Sequence, residues 1–364
     1  MRPALSRREA ILSVAGGVFA ESRCAAPTSQ RWRGFNLQEK FTHSPDEWRE
    51  VAPEWGRTNE AFRETDFEWM AEWGFNFARL PMSYRCWCDP NRPFDLFERT
   101  LRQIDEAVEW GKQYGVHVCI NFHRAPGYCV NESLLAEPWN LWKDAFARKV
   151  FLFHWERFAQ RYRGIPSDQL SFNPINEPSR CTPAQYAEVM FDVVEAIRAV
   201  DPERRIIIDG LFGEATLPVM ELATVTNAIH SARGYAPFSV SHYLAPWGGN
   251  QTQPPSWPMP APHNVVWDRE QLERWCIQPW RPMQEKGRTV FVGEWGCWNR
   301  TPHAVTLAWM KDYLSLWQQE NWGWALWCFR GSFGILDSGR TDVNYESWRG
   351  HKLDRKMLEL LSSH

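Results

Sequence analysis

The chain lacks the charge excess that would mark a nucleic-acid or anionic-membrane surface. Its 41 Lys and Arg stand against 44 Asp and Glu, a formal net charge of -3, so neither nucleic acid nor a membrane is expected as a partner. The apolar run Ile11–Ala20 is too short to span a bilayer. There is no Cys-x-x-Cys pair and no His-Glu-x-x-His run, and Cys86-Trp87-Cys88 has no further ligands beside it in sequence, so no metal site is expected. No Gly-x-Gly-x-x-Gly follows the first predicted strand, which argues against a dinucleotide-binding open sheet. The strand spacing shows no internal repeat. Nothing in the chain calls for a cofactor.

Aromatic side chains are abundant instead: 23 Trp, 21 Phe and 9 Tyr in 364 residues. The bland expectation is a large aromatic core. Sugar rings, however, present flat C–H faces that stack on indoles. Trp87, Trp139, Trp142, Trp247, Trp257, Trp295, Trp298 and Trp327 fall near predicted strand ends, where a saccharide cleft would need them.

Residues 1–26 read as an export signal and not as part of the fold. Ser6-Arg7-Arg8 before the modest apolar segment resembles a twin-arginine signal, although Ala10 stands where a large apolar residue is usual. Cleavage after Ala20 and after Ala26 both fit. In an exported protein a disulfide from Cys86 or Cys88 to Cys129 is conceivable, and sequence does not decide the pairing.

From residue 30 onward, strand and helix patterns alternate. Short apolar runs predict strands over 34–37, 75–81, 117–123, 170–176, 205–210, 238–243, 290–295 and 322–329. Amphipathic stretches over 95–114, 145–163, 183–200, 270–286 and 304–319 predict the helices between them. In the first of these, Leu96, Leu101, Ile104, Ala107 and Val108 make one stripe that Gly115 stops. Eight strands with intervening helices predict an α/β fold, a single-domain (β/α)8 barrel over residues 30–364. The Pro-rich stretch 247–263 reads as a long loop after the sixth strand.

Two carboxylates sit at the ends of such strands. Glu177 closes Ser171-Phe172-Asn173-Pro174-Ile175-Asn176-Glu177, and Glu294 closes Val290-Phe291-Val292-Gly293-Glu294. A lone Glu after a strand is usually a solvated loop residue. Two of them on one barrel rim, flanked by Asn-Pro and Trp, are what glycosidic bond cleavage needs: one carboxyl protonates the leaving oxygen, and the other attacks the sugar carbon or activates water. The remaining strand ends offer Arg79, His123, Asn176, His242 with Tyr243, and Trp327 as substrate-binding candidates.

These motifs resemble the retaining glycoside hydrolases of family 5, the cellulase-like members of the (β/α)8 clan. Asn176-Glu177-Pro178 and Glu294-Trp295-Gly296 carry the resemblance. Arg79-Leu80-Pro81, His123-Arg124-Ala125-Pro126-Gly127-Tyr128, and Trp324-Ala325-Leu326-Trp327 before Gly331-Ser332-Phe333-Gly334 support it, and His351-Lys352-Leu353-Asp354 resembles the start of the closing helix. The resemblance implies Glu177 as acid/base, Glu294 as nucleophile, Asn176 on the sugar 2-hydroxyl, Arg79 orienting Glu294, Trp327 as a sugar platform and His123 lining the same subsite. One departure stands out. The family usually places His and Tyr two residues apart after the sixth strand, whereas His242 and Tyr243 are adjacent. The register of Pro246 favours His242 in the family role and Leu244 at the tyrosine position, which sets Tyr243 aside.

The expected protein is an exported, monomeric, cofactor-independent retaining β-glycosidase acting on a β-1,4-glucan in an endo fashion. A β-mannanase or an exo-acting β-glucosidase is the same-class alternative, since the shared residues do not specify the sugar's 2-epimer. A non-catalytic saccharide-binding barrel is disfavoured by the two intact carboxylates. A metal-dependent sugar isomerase would need more ligands at the strand ends than two Glu.

Overall fold

Eight parallel strands close on themselves in the computed structural model: β1 (Arg33–Asn36), β2 (Phe77–Ser83), β3 (His117–Ala125), β4 (Leu170–Asn173), β5 (Arg205–Asp209), β6 (Ala228–Gly234), β7 (Thr289–Trp295) and β8 (Gly323–Leu326). Each pairs with its sequence neighbours, and β1 pairs with β8, so the barrel has no open edge. The described residues are 31–38, 40–44, 61–131, 136–212, 216–248, 253–262 and 265–364. The expected export signal lies outside them.

Helices cover the outside where an apolar stripe must be buried: α1 (Glu64–Glu72), α2 (Glu98–Tyr114), α3 (Ala145–Arg161), α4 (Pro183–Val200), α5 (His303–Gln319) and α6 (Arg355–Ser362). In α2 the residues Leu101, Ile104, Ala107 and Val108 face inward, and Gly115 ends the helix in the left-handed region at φ 68°. Thr182 caps α4 reciprocally: its hydroxyl accepts from Gln185 N at 3.2 Å, and the Gln185 side chain accepts from Thr182 N at 2.9 Å. The helix expected over 270–286 is broken into short turns, with a π-type turn at Glu273–Ile277. Pro279 and Pro282 lack the N–H donors that a continuous helix needs there.

The sixth strand departs from expectation. Residues 238–241 form one helical turn, and the strand is Ala228–Gly234, hydrogen-bonded to β5 and β7. Its sequence, Ala-Ile-His-Ser-Ala-Arg-Gly, is too polar to read as a buried strand. The polarity has a cause inside the barrel. At the N-terminal end the interior is apolar, with Phe77, Cys119, Ile207, Phe291 and Ala325 packed together under Trp32 and Ile229. Toward the C-terminal end it becomes a hydrogen-bonded network that includes Asn36, Arg79, Asn121, Asn173, Asp209 and Arg233, all buried. Burial of such groups is tolerated because each finds partners.

The tryptophans divide in the same way. Trp87, Trp142 and Trp295 are core residues, Trp257 donates to Asp312 Oδ2 at 2.8 Å, and Trp139 packs on Phe146 at 5.1 Å between ring centroids. Of those expected at a saccharide cleft, Trp247, Trp298 and Trp327 line the cavity described below. Cys88, Cys119, Cys181, Cys276 and Cys297 are free thiols, and burial pushes the Cys88 thiol up to about 12.

Candidate active site

Strand geometry brings the two carboxylates together. In β7 the pairing with β6 skips a residue between Val292 and Glu294, a bulge at Gly293 that turns Glu294 into the barrel mouth. A side chain at 293 would meet Ser231 Oγ at 2.4 Å, so only glycine fits. After β4, Glu177 adopts φ 45°, a left-handed conformation that costs a non-glycine residue about 1 kcal/mol or more. Two contacts hold it there. Its N–H donates to Asp209 Oδ2 at 3.0 Å, and its carbonyl accepts from the Tyr128 hydroxyl at 2.5 Å.

Arg79, from β2, is fully buried and joins these parts. Its Nη1 lies 2.5 Å from Glu294 Oε1 and donates to Asn36 Oδ1 at 2.9 Å. Its Nη2 donates to Asn176 Oδ1 at 2.7 Å and to Asn173 Oδ1 at 2.9 Å. A second guanidinium, Arg233 of β6, lies on the other side. Its Nε is 3.1 Å from Glu177 Oε1, and its Nη2 reaches Asn176 Oδ1 at 3.0 Å, Glu294 Oε1 at 3.5 Å and the Asp209 carboxylate. Since Asn176 Oδ1 accepts from both arginines, the amide is locked with Nδ2 directed away from them, and that nitrogen has no hydrogen-bond partner among the described residues.

The Tyr235 hydroxyl, one residue beyond β6, donates to Glu294 Oε2 at 3.4 Å. Arg233, Tyr235 and Pro237 are therefore the chain's own version of the spacing sought at 242–246. Arg233 stands where the family usually has histidine, and Tyr235 supplies the phenol. The sequence signal was present as Arg-x-Tyr-x-Pro, hidden because the strand before it is polar.

His242 follows the helical turn 238–241 and still lines the cavity, stacked on Phe238 at 4.6 Å and held through Nδ1 to Ser241 Oγ at 2.8 Å. Tyr243 is buried but is not among the cavity-lining residues, and Leu244, expected at the tyrosine position, is 50% exposed. His123 lies face to face with Trp327 at 5.4 Å. With Glu177, Glu294, Tyr235, Trp247, Trp298 and Phe333 they enclose a cavity of about 330 Å³. Among the described residues, no cluster of His, Cys, Asp and Glu could hold a metal ion.

The electrostatics separate the two carboxyl groups. Burial, then the charge of Glu294, push the Glu177 carboxyl up to about 7, against the opposing pull of Arg233. Glu294 is in direct ion contact with Arg79. One carboxyl that holds its proton beside another that is paired with a cation is an arrangement suited to acid and nucleophile chemistry.

The profile of the cellulase family (glycosyl hydrolase family 5) matches residues 27–332. Endoglucanase C of Acetivibrio thermocellus is 25% identical over 307 residues, spanning 78% of this chain and 88% of that protein. Cellodextrinase A of Ruminococcus flavefaciens is 23% identical over 263 residues, spanning 70% and 74%. A crystal structure of a glycoside hydrolase superposes with TM-score 0.82 and 38% identity, covering 92% of this chain and 99% of the other. The chain belongs to glycosyl hydrolase family 5 and is an O-glycoside hydrolase.

Proposed function

We propose that the protein is a retaining endo-β-1,4-glucanase in which Glu294 is the nucleophile and Glu177 the acid/base. The observation that carries this reading is the electrostatic split within one cavity: Glu177 is raised to about 7, while Glu294 contacts Arg79 at 2.5 Å. In the first step the Glu294 carboxylate attacks the anomeric carbon, and the Glu177 carboxyl gives its proton to the departing glycosidic oxygen. In the second step the Glu177 carboxylate takes a proton from water, which attacks the same carbon and breaks the Glu294 ester. One guanidinium touching both carboxylates keeps them close, in keeping with the about 5–5.5 Å spacing of retaining enzymes.

Asn176 Nδ2, left without a protein partner by its two arginines, donates to the sugar 2-hydroxyl. Trp327 and His123 form the wall on which that sugar rests, with His242 across the cavity. The glucan assignment leans on the relatives named endoglucanase and cellodextrinase. The Arg7-Arg8 signal would deliver the enzyme outside the cytoplasm, where such polymers are found.

Assay of the purified protein on β-1,4-glucan, mixed-linkage glucan, mannan and xylan, with the first-formed anomer followed by NMR, tests the proposal. Release of β-anomeric cello-oligosaccharides is expected. Initial release of the α-anomer would show inversion, and faster turnover of mannan would move the substrate to the 2-epimer.

A further inference from the structure

The mechanism gives no role to the charges of one buried pair, Arg233 and Asp209. The Arg233 guanidinium is anchored on its own strand by Ser231 Oγ at 2.9 Å and the Ala232 carbonyl at 3.2 Å, and it is ion-paired to the Asp209 carboxylate. From that fixed position Nε contacts Glu177 at 3.1 Å. Asp209 in turn accepts the Glu177 backbone N–H at 3.0 Å. Both members of the pair therefore touch the acid/base, one through its side chain and one through its backbone.

The charged groups around Glu177 are Arg79 from β2, Asp209 from β5, Arg233 from β6 and Glu294 from β7, with the Tyr128 and Tyr235 hydroxyls and the His123 and His242 rings beside them. In the free enzyme, with Glu177 protonated, two cations face two anions. Once Glu294 becomes a glycosyl ester it loses its charge. The cluster is then balanced only if Glu177 has given up its proton. Both working states are neutral, and each holds Glu177 in the form that the next step requires. A buried cluster far from neutrality would be costly, so the balance itself drives the exchange of roles.

We infer that Arg233 and Asp209 act as a charge-matched positioning pair that keeps Glu177 an acid before glycosylation and makes it a base afterwards. The inference rests on the assignment of Glu177 as acid/base. Arg233 draws Glu177 toward ionisation, and Asp209 opposes it. Removing Arg233 should therefore make Glu177 hold its proton to higher pH, removing Asp209 should do the reverse, and removing both should largely cancel.

The test compares Arg233→Gln, Asp209→Asn and the double variant on 2,4-dinitrophenyl β-cellobioside and on cello-oligosaccharides across pH. In Arg233→Gln the alkaline limb of kcat/KM on cello-oligosaccharides should move up by about one pH unit or more. Its deglycosylation should also fail below that higher pH, with glycosyl-enzyme accumulating on the dinitrophenyl substrate and azide, which needs no base, relieving the block. The Asp209→Asn limb should move down, and that of the double variant should return toward the parent. Should Arg233→Gln not fold, the downward shift in Asp209→Asn and its reversal in the double variant decide the matter. Folded variants whose limbs stay in place while activity drops uniformly would reduce the pair to a structural role. Glu177→Ala is assayed in parallel with azide. If azide fails to rescue it, the acid/base assignment falls; if azide rescues it while the Arg233 and Asp209 limbs stay put, only the charge-balance inference falls.

Discussion

The Tyr235 hydroxyl ends 3.4 Å from Glu294 Oε2, while Arg79 Nη1 ends 2.5 Å from Oε1 of the same carboxylate. Each oxygen of the proposed nucleophile thus has its own donor, one from β2 and the other from the residue that follows β6. Tyr235 thus takes the tyrosine position that the register of Pro246 had assigned to Leu244.

Tyr235→Phe removes one donor from a charged acceptor and should lower kcat by about tenfold, ~1.4 kcal/mol. Tyr243→Phe should cost under about 1 kcal/mol, because Tyr243 is not part of the cavity lining. Steady-state kinetics on both variants decide between them. A Tyr243→Phe variant more impaired than Tyr235→Phe would overturn this placement of the phenol.

Arg79→Lys keeps a cation but loses the planar fork that reaches Asn36, Asn173, Asn176 and Glu294 at once. A loss of at least about 10²-fold in kcat, ~2.7 kcal/mol, is expected. The loss should persist on dinitrophenyl glycosides, since forming the glycosyl ester requires an oriented Glu294 whatever the leaving group. Near-parental rates on that substrate would show that orientation of Glu294 does not depend on the fork.

The Glu177 carboxyl, raised to about 7, must be protonated for glycosylation of an unactivated substrate. As pH rises through that value the acid is lost, so kcat/KM on cello-oligosaccharides should fall with an alkaline limb near 7. Substrates with dinitrophenol as leaving group need no proton and should not show the limb in their glycosylation rate. A limb of equal position on both substrates would assign it to another group.

Three histidines outside the cavity test the fold instead. Burial lowers His117 to about 3 and His154 and His230 to about 4. His154 shows why: its Nδ1 accepts from Trp87 Nε1 at 2.9 Å and its Nε2 donates to the Pro93 carbonyl at 2.7 Å, which requires the neutral ring. As pH falls below the unfolded value of about 6.5, the unfolded chain gains protons that the fold refuses. Stability is then lost at up to roughly 1.4 kcal/mol per pH unit for each ring, down to the folded values. Denaturant unfolding at pH 6.5 and 5.0 should show a smaller loss across that interval in His154→Gln than in the parent. Equal losses would mean that His154 is protonated within the fold.

Much of this was legible along the chain. Short apolar runs over 170–176 and 290–293 lead directly into Glu177 and Glu294, carboxylates beside Asn-Pro and Trp-Gly, so local pattern and chemistry agreed. Seven of the eight strands and the two carboxylates follow from that agreement. The sixth strand was displaced by about ten residues for the opposite reason. Ala228–Gly234 carries Ser231 and Arg233, whose polarity makes sense only after the barrel closes: Arg233 then bonds Ser231, Asp209 and Glu177.

Which tryptophans meet substrate could not be read either. Trp295 and Trp298 lie three residues apart, yet one is core and the other lines the cavity. The amino-acid sequence by itself determined the alternation of strands and helices, the barrel that this alternation implies, and the two strand-end carboxylates, because each depends on residues close together in the chain. Only the tertiary structure decided that Arg233 faces Glu177, that Tyr235 faces Glu294, and that Asp209 balances the charge. Those contacts join strands 32 to 61 residues apart, and no local periodicity encodes a distance across a closed barrel.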